Sequence, residues 1–255
     1  MNSVLKIRYL SDLHLEFIKP DRLSRFINKI PVATPDEICV LAGDIGNPYE
    51  PNYDTFMKFI NSNFRKSFIV AGNHEFYNKT KSIDDTILYL HQYFTKFENI
   101  TFLDNSFEIY ENHCFIGSTL WSKITDPDHK INDIYYIPNL TIDKYNFLNE
   151  KSVENLEMTL QNNNNCIVIT HHVPSYDLID SKYKTKKMMP YNQWFYCDMN
   201  GTIAKNQDKI KCWFYGHTHS PSTQNINGIP FLCNPIGYPN ENHSNDFNKK
   251  IIIPM

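Results

Sequence analysis

Five short apolar runs, each breaking off into Asp, Asn or His, constrain this chain more than anything else in it. "LKIRYL" leads into "SDLHLEF", "EICVLAG" into Asp44, "SFIVAG" into "NHEFY", "CIVIT" into "HH", and "KCWFYG" into "HTHS". Runs this short and this rich in Ile, Val, Phe and Tyr read as buried strands. A core rejects carboxylates and imidazoles, so the side chains at the strand ends need another reason to be there. Between the first strands, "PDRLSRFINKI" and "PNYDTFMKFINSNF" carry apolar residues at helical spacing, with Pro at the first turn. Ile83, Ile87, Leu90, Phe94 and Phe97 fall on one face of a third helix, where core packing accounts for them. Alternating strands and helices predict a parallel or mixed sheet. In open α/β folds, ligands bind beyond the carboxyl ends of such strands.

From Ile100 the pattern changes to short strands with tight turns, "ITFLDNSFEIYENHCFIGSTLW". A helix is expected over Ser152–Leu160, then an Asn-rich turn. The last third is again strand-rich, with "PSTQNIN", "GIPFLCNP" and "KKIIIPM". No Gly/Ser linker or composition break divides the chain, so residues 1–255 are expected to form one domain. The formal net charge of −3 supplies no global positive field toward nucleic acid or an anionic membrane. Six cysteines lack paired metal spacing and sit mostly in apolar runs, as reduced core thiols do. The N-terminal stretch lacks a signal-peptide pattern, and no run approaches the roughly 18 apolar residues of a membrane span. A cytoplasmic protein is the expectation.

The strand ends converge as a donor set. Asp12 and His14 are two apart, as are His217 and His219, and on an extended chain such pairs face one side. Gly43 allows a tight turn before Asp44. Asn73 and His74 follow another Gly, and His171 and His172 follow "CIVIT". Two carboxylates, one amide oxygen and at least four imidazoles exceed the needs of one ion. They suit two divalent transition-metal ions (Mn, Fe or Zn) sharing a bridging carboxylate. Such ions lie roughly 3.5–4 Å apart and clamp both the attacking and leaving oxygens of a displacement.

"SDLHLEF", "AGDIG", "AGNHE", "THH" and "GHTH" resemble, in order, the motif series of the calcineurin-like metallophosphoesterases. The match runs from Asp12 to His219. The resemblance implies a four-layer α/β/β/α sandwich of two mixed β-sheets flanked by helices. It implies that Asp12, His14 and His219 hold one metal, that Asn73, His171 and His217 hold the other, and that Asp44 bridges. His171 is preferred to His172 for its position ahead of Pro174. His74 resembles the catalytic histidine, placed to stabilise or protonate the leaving oxygen, while a metal-bridging hydroxide attacks. No Arg follows Asp44 in "GDIGNPYEP", which removes the serine/threonine protein phosphatase branch.

The segment "SYDLIDSKYKTKKMMPYNQWFYCDMN" joins two ligand-bearing strands. Lys182, Lys184, Lys186 and Lys187 are candidate phosphate contacts, the last three foremost, and Tyr183, Tyr191, Trp194 and Tyr196 candidate stacking platforms. A solvated loop with core aromatics is the competing reading. His91, His113, His129 and His243 have no matching partners and read as surface or packing residues. The leading function is hydrolysis of small phosphoesters, phosphodiesters or nucleotides foremost. A nuclease of the same family, and an inactive protein-binding scaffold, are the alternatives.

Overall fold

The computed structural model describes residues 4–241 and 246–254; His243 lies outside them. Among the described residues the strands run β1 (Val4–Leu10), β2 (Glu37–Ala42), β3 (Ser67–Val70), β4 (Ile100–Phe102), β5 (Ser106–Tyr110), β6 (His113–Ser118), β7 (Cys166–Thr170), β8 (Ile210–Tyr215), β9 (Ser222–Ile226), β10 (Ile229–Cys233) and β11 (Lys250–Pro254). One sheet has the order β11–β1–β2–β3–β4 and the other β5–β6–β7–β8–β10–β9. β1 to β4 are parallel and β11 is antiparallel to them. In the second sheet β6, β7, β8 and β10 are parallel, with β5 and β9 antiparallel at its edges. Both sheets are therefore mixed.

Each inner strand is apolar on both faces because each face has a layer to cover. In β2, Ile38, Val40 and Ala42 join a core between the sheets with Phe115, Ile167, Ile169 and Phe214. Phe68 stacks on Phe115 across that core, with centroids 3.9 Å apart. Cys39 and Leu41 point the other way, into a cluster with residues of α1 (Pro20–Ile27), α2 (Pro51–Asn63) and α3 (Ile83–Phe94). Val168 and Trp213 on the outer face of the second sheet pack with Leu156 and Leu160. The result is helix, sheet, sheet, helix. All six cysteines are buried and free.

After α3 comes a short α4 (Asp133–Tyr136), then the long α5 (Ile142–Asn162). α5 begins at Ile142 rather than near Ser152, with the Thr141 side chain accepting from the Lys144 N–H as its cap. Its first half packs Tyr145 and Leu148 into one cluster, while its second half packs Leu156 and Leu160 into another. A helix that changes partners along its length shows no single apolar stripe.

Arg8 of β1 is buried against Glu37 of β2, and its guanidinium also donates to the Pro31 carbonyl. Lys250 of β11 reaches the same carboxylate at 2.8 Å, so Glu37 ties three neighbouring strands. Burial raises the Glu37 carboxyl, but bonds from Lys250 and Arg8 outweigh it and hold it below the ordinary range. The stabilisation is thus complete above that range and is lost as pH falls through the depressed value. Glu37→Ala leaves Arg8 buried and unpaired and should cost about 3–5 kcal/mol. Arg8→Met/Glu37→Leu should recover most of that in urea unfolding. If the single variant unfolds at the parental midpoint, the pair holds nothing together.

Candidate metal centre

The seven residues singled out as ligands meet at the carboxyl ends of β1, β2, β3, β7 and β8, where the two sheets adjoin. Asp12, His14, Asp44 and His219 form one group, and Asp44, His171 and His217 another, with Asp44 common to both. Their route there differs from the extended-strand expectation. Asp12, His14, Asp44, His217 and His219 all have positive φ, at 52°, 48°, 52°, 72° and 48°. The left-handed conformation costs a non-glycine residue about 1–2 kcal/mol. The pairs two apart therefore converge through sharp turns past the strand ends, not by strand alternation. Strain gathered in this way marks functional sites.

Partners on the far side of each ring fix which nitrogen faces the centre. His14 Nδ1 donates to Glu16 Oε1 at 3.1 Å, and His219 Nδ1 to Glu241 Oε2 at 2.7 Å. Their two Nε2 atoms, left as lone pairs, face each other at 2.9 Å. Asp12 Oδ1 lies 3.6 Å from His219 Nε2, and Asp44 Oδ2 lies 3.9 Å from His14 Nε2. In the other group His171 Nδ1 donates to the Ala42 carbonyl at 3.0 Å. Its Nε2 then faces Asp44 Oδ2 at 3.3 Å, Asn73 Oδ1 at 3.0 Å and His217 Nδ1 at 3.2 Å. The Asn73 amide is oriented by Asp133, whose Oδ1 accepts its N–H at 2.8 Å. Acceptors buried face to face repel unless a cation lies among them, so the donor set fits divalent metal ions.

Charge follows from the same contacts. Burial raises the Asp44 carboxyl, but His171 and His74 outweigh it and hold it well below the usual range. Burial lowers His171, yet Asp44 brings it up to about 9. Burial, with His172 and His171 nearby, pushes His217 well down. Carboxylates that hold protons on imidazoles here would equally favour ions, which would release those protons. His172 points elsewhere: its Nδ1 donates to the Thr119 carbonyl and its Nε2 accepts from the Tyr145 hydroxyl, both at 3.1 Å. Burial, then His171, brings it down to about 3.

His74 stands beside both groups. Its backbone N–H donates to Asp44 Oδ1 at 2.8 Å, its Nδ1 to Glu16 Oε1 at 2.9 Å, and its Nε2 meets the Tyr238 hydroxyl at 3.1 Å. Burial lowers it, but Asp44 and Glu16 raise it to about 9. A cavity of about 340 Å³ lined by Asp44, Asn73, His74, His217 and His219 opens beside it.

The lysines do not join this centre. Lys184 donates to the Asp177 carbonyl and lies over the Tyr176 ring, facing a separate hollow. Lys186 and Lys187 are exposed and line neither that cavity nor its neighbour. Trp194 is wholly buried, whereas Tyr183 reaches the cavity wall. A loop between ligand strands must start at the site but need not stay there.

The sequence reading gives no role to Glu16, Glu75, Asp133, Tyr238 or Glu241. Glu75 has a signal, as the last residue of "AGNHE". Its buried carboxylate accepts the N–H groups of Asp44, Ile45, Gly46 and Gly72, at 3.0, 2.7, 3.2 and 2.6 Å. Burial and Asp44 raise it to about 7. Nothing local marks Asp133 or Tyr238, which arrive from distant segments.

The chain belongs to the calcineurin-like phosphoesterase family, whose model matches residues 5–221. Its members are metal-dependent phosphoesterases, and the fold and the His/Asp groups above agree with that class. Protein L509 of Acanthamoeba polyphaga mimivirus is 36% identical over 276 residues, covering 98% of this chain and 96% of that one. The phosphopantetheinyl hydrolase of Mycobacterium tuberculosis shares the fold with a TM-score of 0.72 at 15% identity, over 94% of this chain and 92% of that one. TT1561 of Thermus thermophilus does so at 0.59 and 11% identity, over 91% and 90%. No helix among the described residues is long and apolar enough to cross a membrane.

Glu75 is the buttress of the Asp44 turn, which gives a direct prediction. A buried donor left without an acceptor costs on the order of 1–3 kcal/mol. Glu75→Ala strands four of them and should lower both the unfolding midpoint and metal uptake, whereas Glu75→Gln keeps one acceptor and should lose less. Denaturation with elemental analysis of each variant is the check. Full metal uptake by the Ala variant would contradict the buttress role.

Proposed function

We propose that this chain hydrolyses small phosphoesters at a two-ion centre. Asp12, His14 and His219 serve one ion, Asn73, His171 and His217 the other, and Asp44 both. One observation carries the reading: two groups of buried lone-pair donors share a single carboxylate. Both sheets contribute to the centre, which favours one domain over two. Nitrogen and oxygen donors of this mix suit Mn, Fe or Zn. Ions bound there would supply Lewis acidity to a phosphoryl group and acidify a water molecule.

The chain's own residues do the rest. Asp44 holds the two groups in register, and Asp133 keeps the Asn73 amide oxygen turned inward. Glu16 orients His74 through Nδ1, leaving Nε2 at the cavity beside Tyr238. From there His74 would hold a proton for the departing oxygen. The nuclease alternative is weakened because no Lys or Arg is among the described residues lining the cavity or its neighbour. A retained donor set also argues against an inactive scaffold.

Two outcomes are expected. The pure protein should hold close to two transition-metal ions, lose phosphoesterase activity on chelation and regain it with Mn²⁺; full activity without metal would end the proposal. His74→Ala should keep its metal and lose about 10²–10⁴-fold in kcat on alkyl esters, a typical general-acid contribution. The loss on a nitrophenyl ester, whose leaving group departs unaided, should be much smaller. Equal losses on both esters would remove the proton-donor role.

A further inference from the structure

A second cleft, of about 890 Å³, adjoins the ligand cavity, and His74, Tyr77, Asn132 and Tyr238 line both. Taking the phosphoesterase reading as its basis, we infer that this cleft is the subsite for the alcohol side of the ester, and that it takes one uncharged nucleoside carrying a single phosphoryl group. Three independent features of the cleft point to that occupant.

The first is aromatic surface outside the core. Phe17 and Tyr136 line the cleft and remain 52% and 55% exposed. Phe17 lies against Tyr238 with ring centroids 5.5 Å apart, and Tyr77 against Tyr136 at 5.3 Å. Tyr77 in turn stacks on His74 at 4.2 Å. Rings left in water around a cleft offer flat faces to a flat ligand, and a base stacked on one gains about 1–3 kcal/mol.

The second is a set of amides. Asn47, Asn132 and Asn240 line the same cleft. An amide presents both donors and an acceptor, as the edge of a heterocycle and the hydroxyls of a sugar require. Asn47 Oδ1 already accepts the Tyr49 N–H at 3.0 Å, while Asn132 and Asn240 are exposed and available to a polar ligand.

The third is charge. Glu16 and Glu50 line the cleft, and no Lys or Arg is among its described lining residues. A second phosphate carried past the metal ligands would meet carboxylates with no Lys or Arg to receive it. This argues against a polyphosphate tail or a flanking nucleotide, and the volume is that of a small-molecule pocket.

The test uses the full chain and reads binding as well as turnover. Free adenosine and uridine are titrated into metal-loaded and metal-free protein by calorimetry, with glycerol as the control. Both nucleosides should bind with or without metal, since the rings and amides of the cleft are not among the metal donors. Phe17→Ala and Tyr136→Ala should each weaken binding roughly tenfold, consistent with one lost stacking face. Both rings are exposed, so the variants should keep the parental unfolding midpoint.

In turnover, kcat/KM for nucleoside monophosphates should exceed that for glycerol phosphate and for nucleoside triphosphates. The double variant should lose the preference over glycerol phosphate while still hydrolysing it. Hydrolysis of glycerol phosphate without nucleoside binding would overturn the subsite and leave the phosphoesterase reading standing. Nucleoside binding that is sensitive to Phe17 and Tyr136, in a protein that hydrolyses no phosphoester, would overturn the phosphoesterase reading and leave the cleft a nucleoside site only. A preference for triphosphates or oligonucleotides would overturn the charge argument and the proposal with it.

Discussion

Asp44 is a carboxylate with almost no access to water, and it faces imidazoles brought from both sheets. An ionised group so placed is tolerable only if positive charge stands close by. His14 approaches from one sheet and His171 from the other, each with a lone pair turned toward the same region. The arrangement repels itself when empty of cations and protons. It becomes favourable when positive charge is bound, so the sandwich meets where it does at an electrostatic condition and not merely a packing one.

The surroundings make that condition geometrically possible. A Cβ at Gly72 would fall 2.2 Å from Asp44 Oδ1, and one at Gly216 would fall 2.8 Å from Asp12 Oδ2. Only glycine lets the backbone pass so close. Glu75 collects the N–H groups of the Asp44 turn, and Glu16 links His14 and His74 through one oxygen. The left-handed residues at the strand ends carry strain that the cores on either side of the sheets can sustain. Carboxylates behind the imidazoles also make the ring nitrogens in front stronger donors to a cation.

Much of this is written in local sequence. Apolar runs identify the strands because the inner ones are buried on both faces, and the residues that end them are those the structure clusters. The order of the motifs carries the family. What local pattern does not carry is position in space. The backbone turns that aim Asp12 and His14 leave no periodic trace, so strand alternation is not what brings these residues together. α5 reads short in sequence because its two halves answer to different cores. Lys184, Lys186 and Lys187 have suitable charge beside a ligand strand, but Tyr183 and Phe195 of their loop, not the lysines, line the cavity. The aromatic cleft draws Phe17, Tyr77, Tyr136 and Tyr238 from four distant segments, and no window of sequence contains more than one.

In the proposed function the two cavities would divide the chemistry between them: one would hold groups that answer to positive ions, the other rings and amides that would answer to a neutral ligand. His74 stands at the boundary, tied to the first by Asp44 and to the second by Tyr238. Asp44 is proposed to serve two cations at once. That role is tested most directly by electron paramagnetic resonance of the metal-free protein titrated with Mn²⁺. A shared carboxylate predicts a spin-coupled spectrum once two equivalents are bound, replaced by an uncoupled signal in Asp44→Asn. An uncoupled Mn²⁺ spectrum from the parent protein at full occupancy would contradict the account.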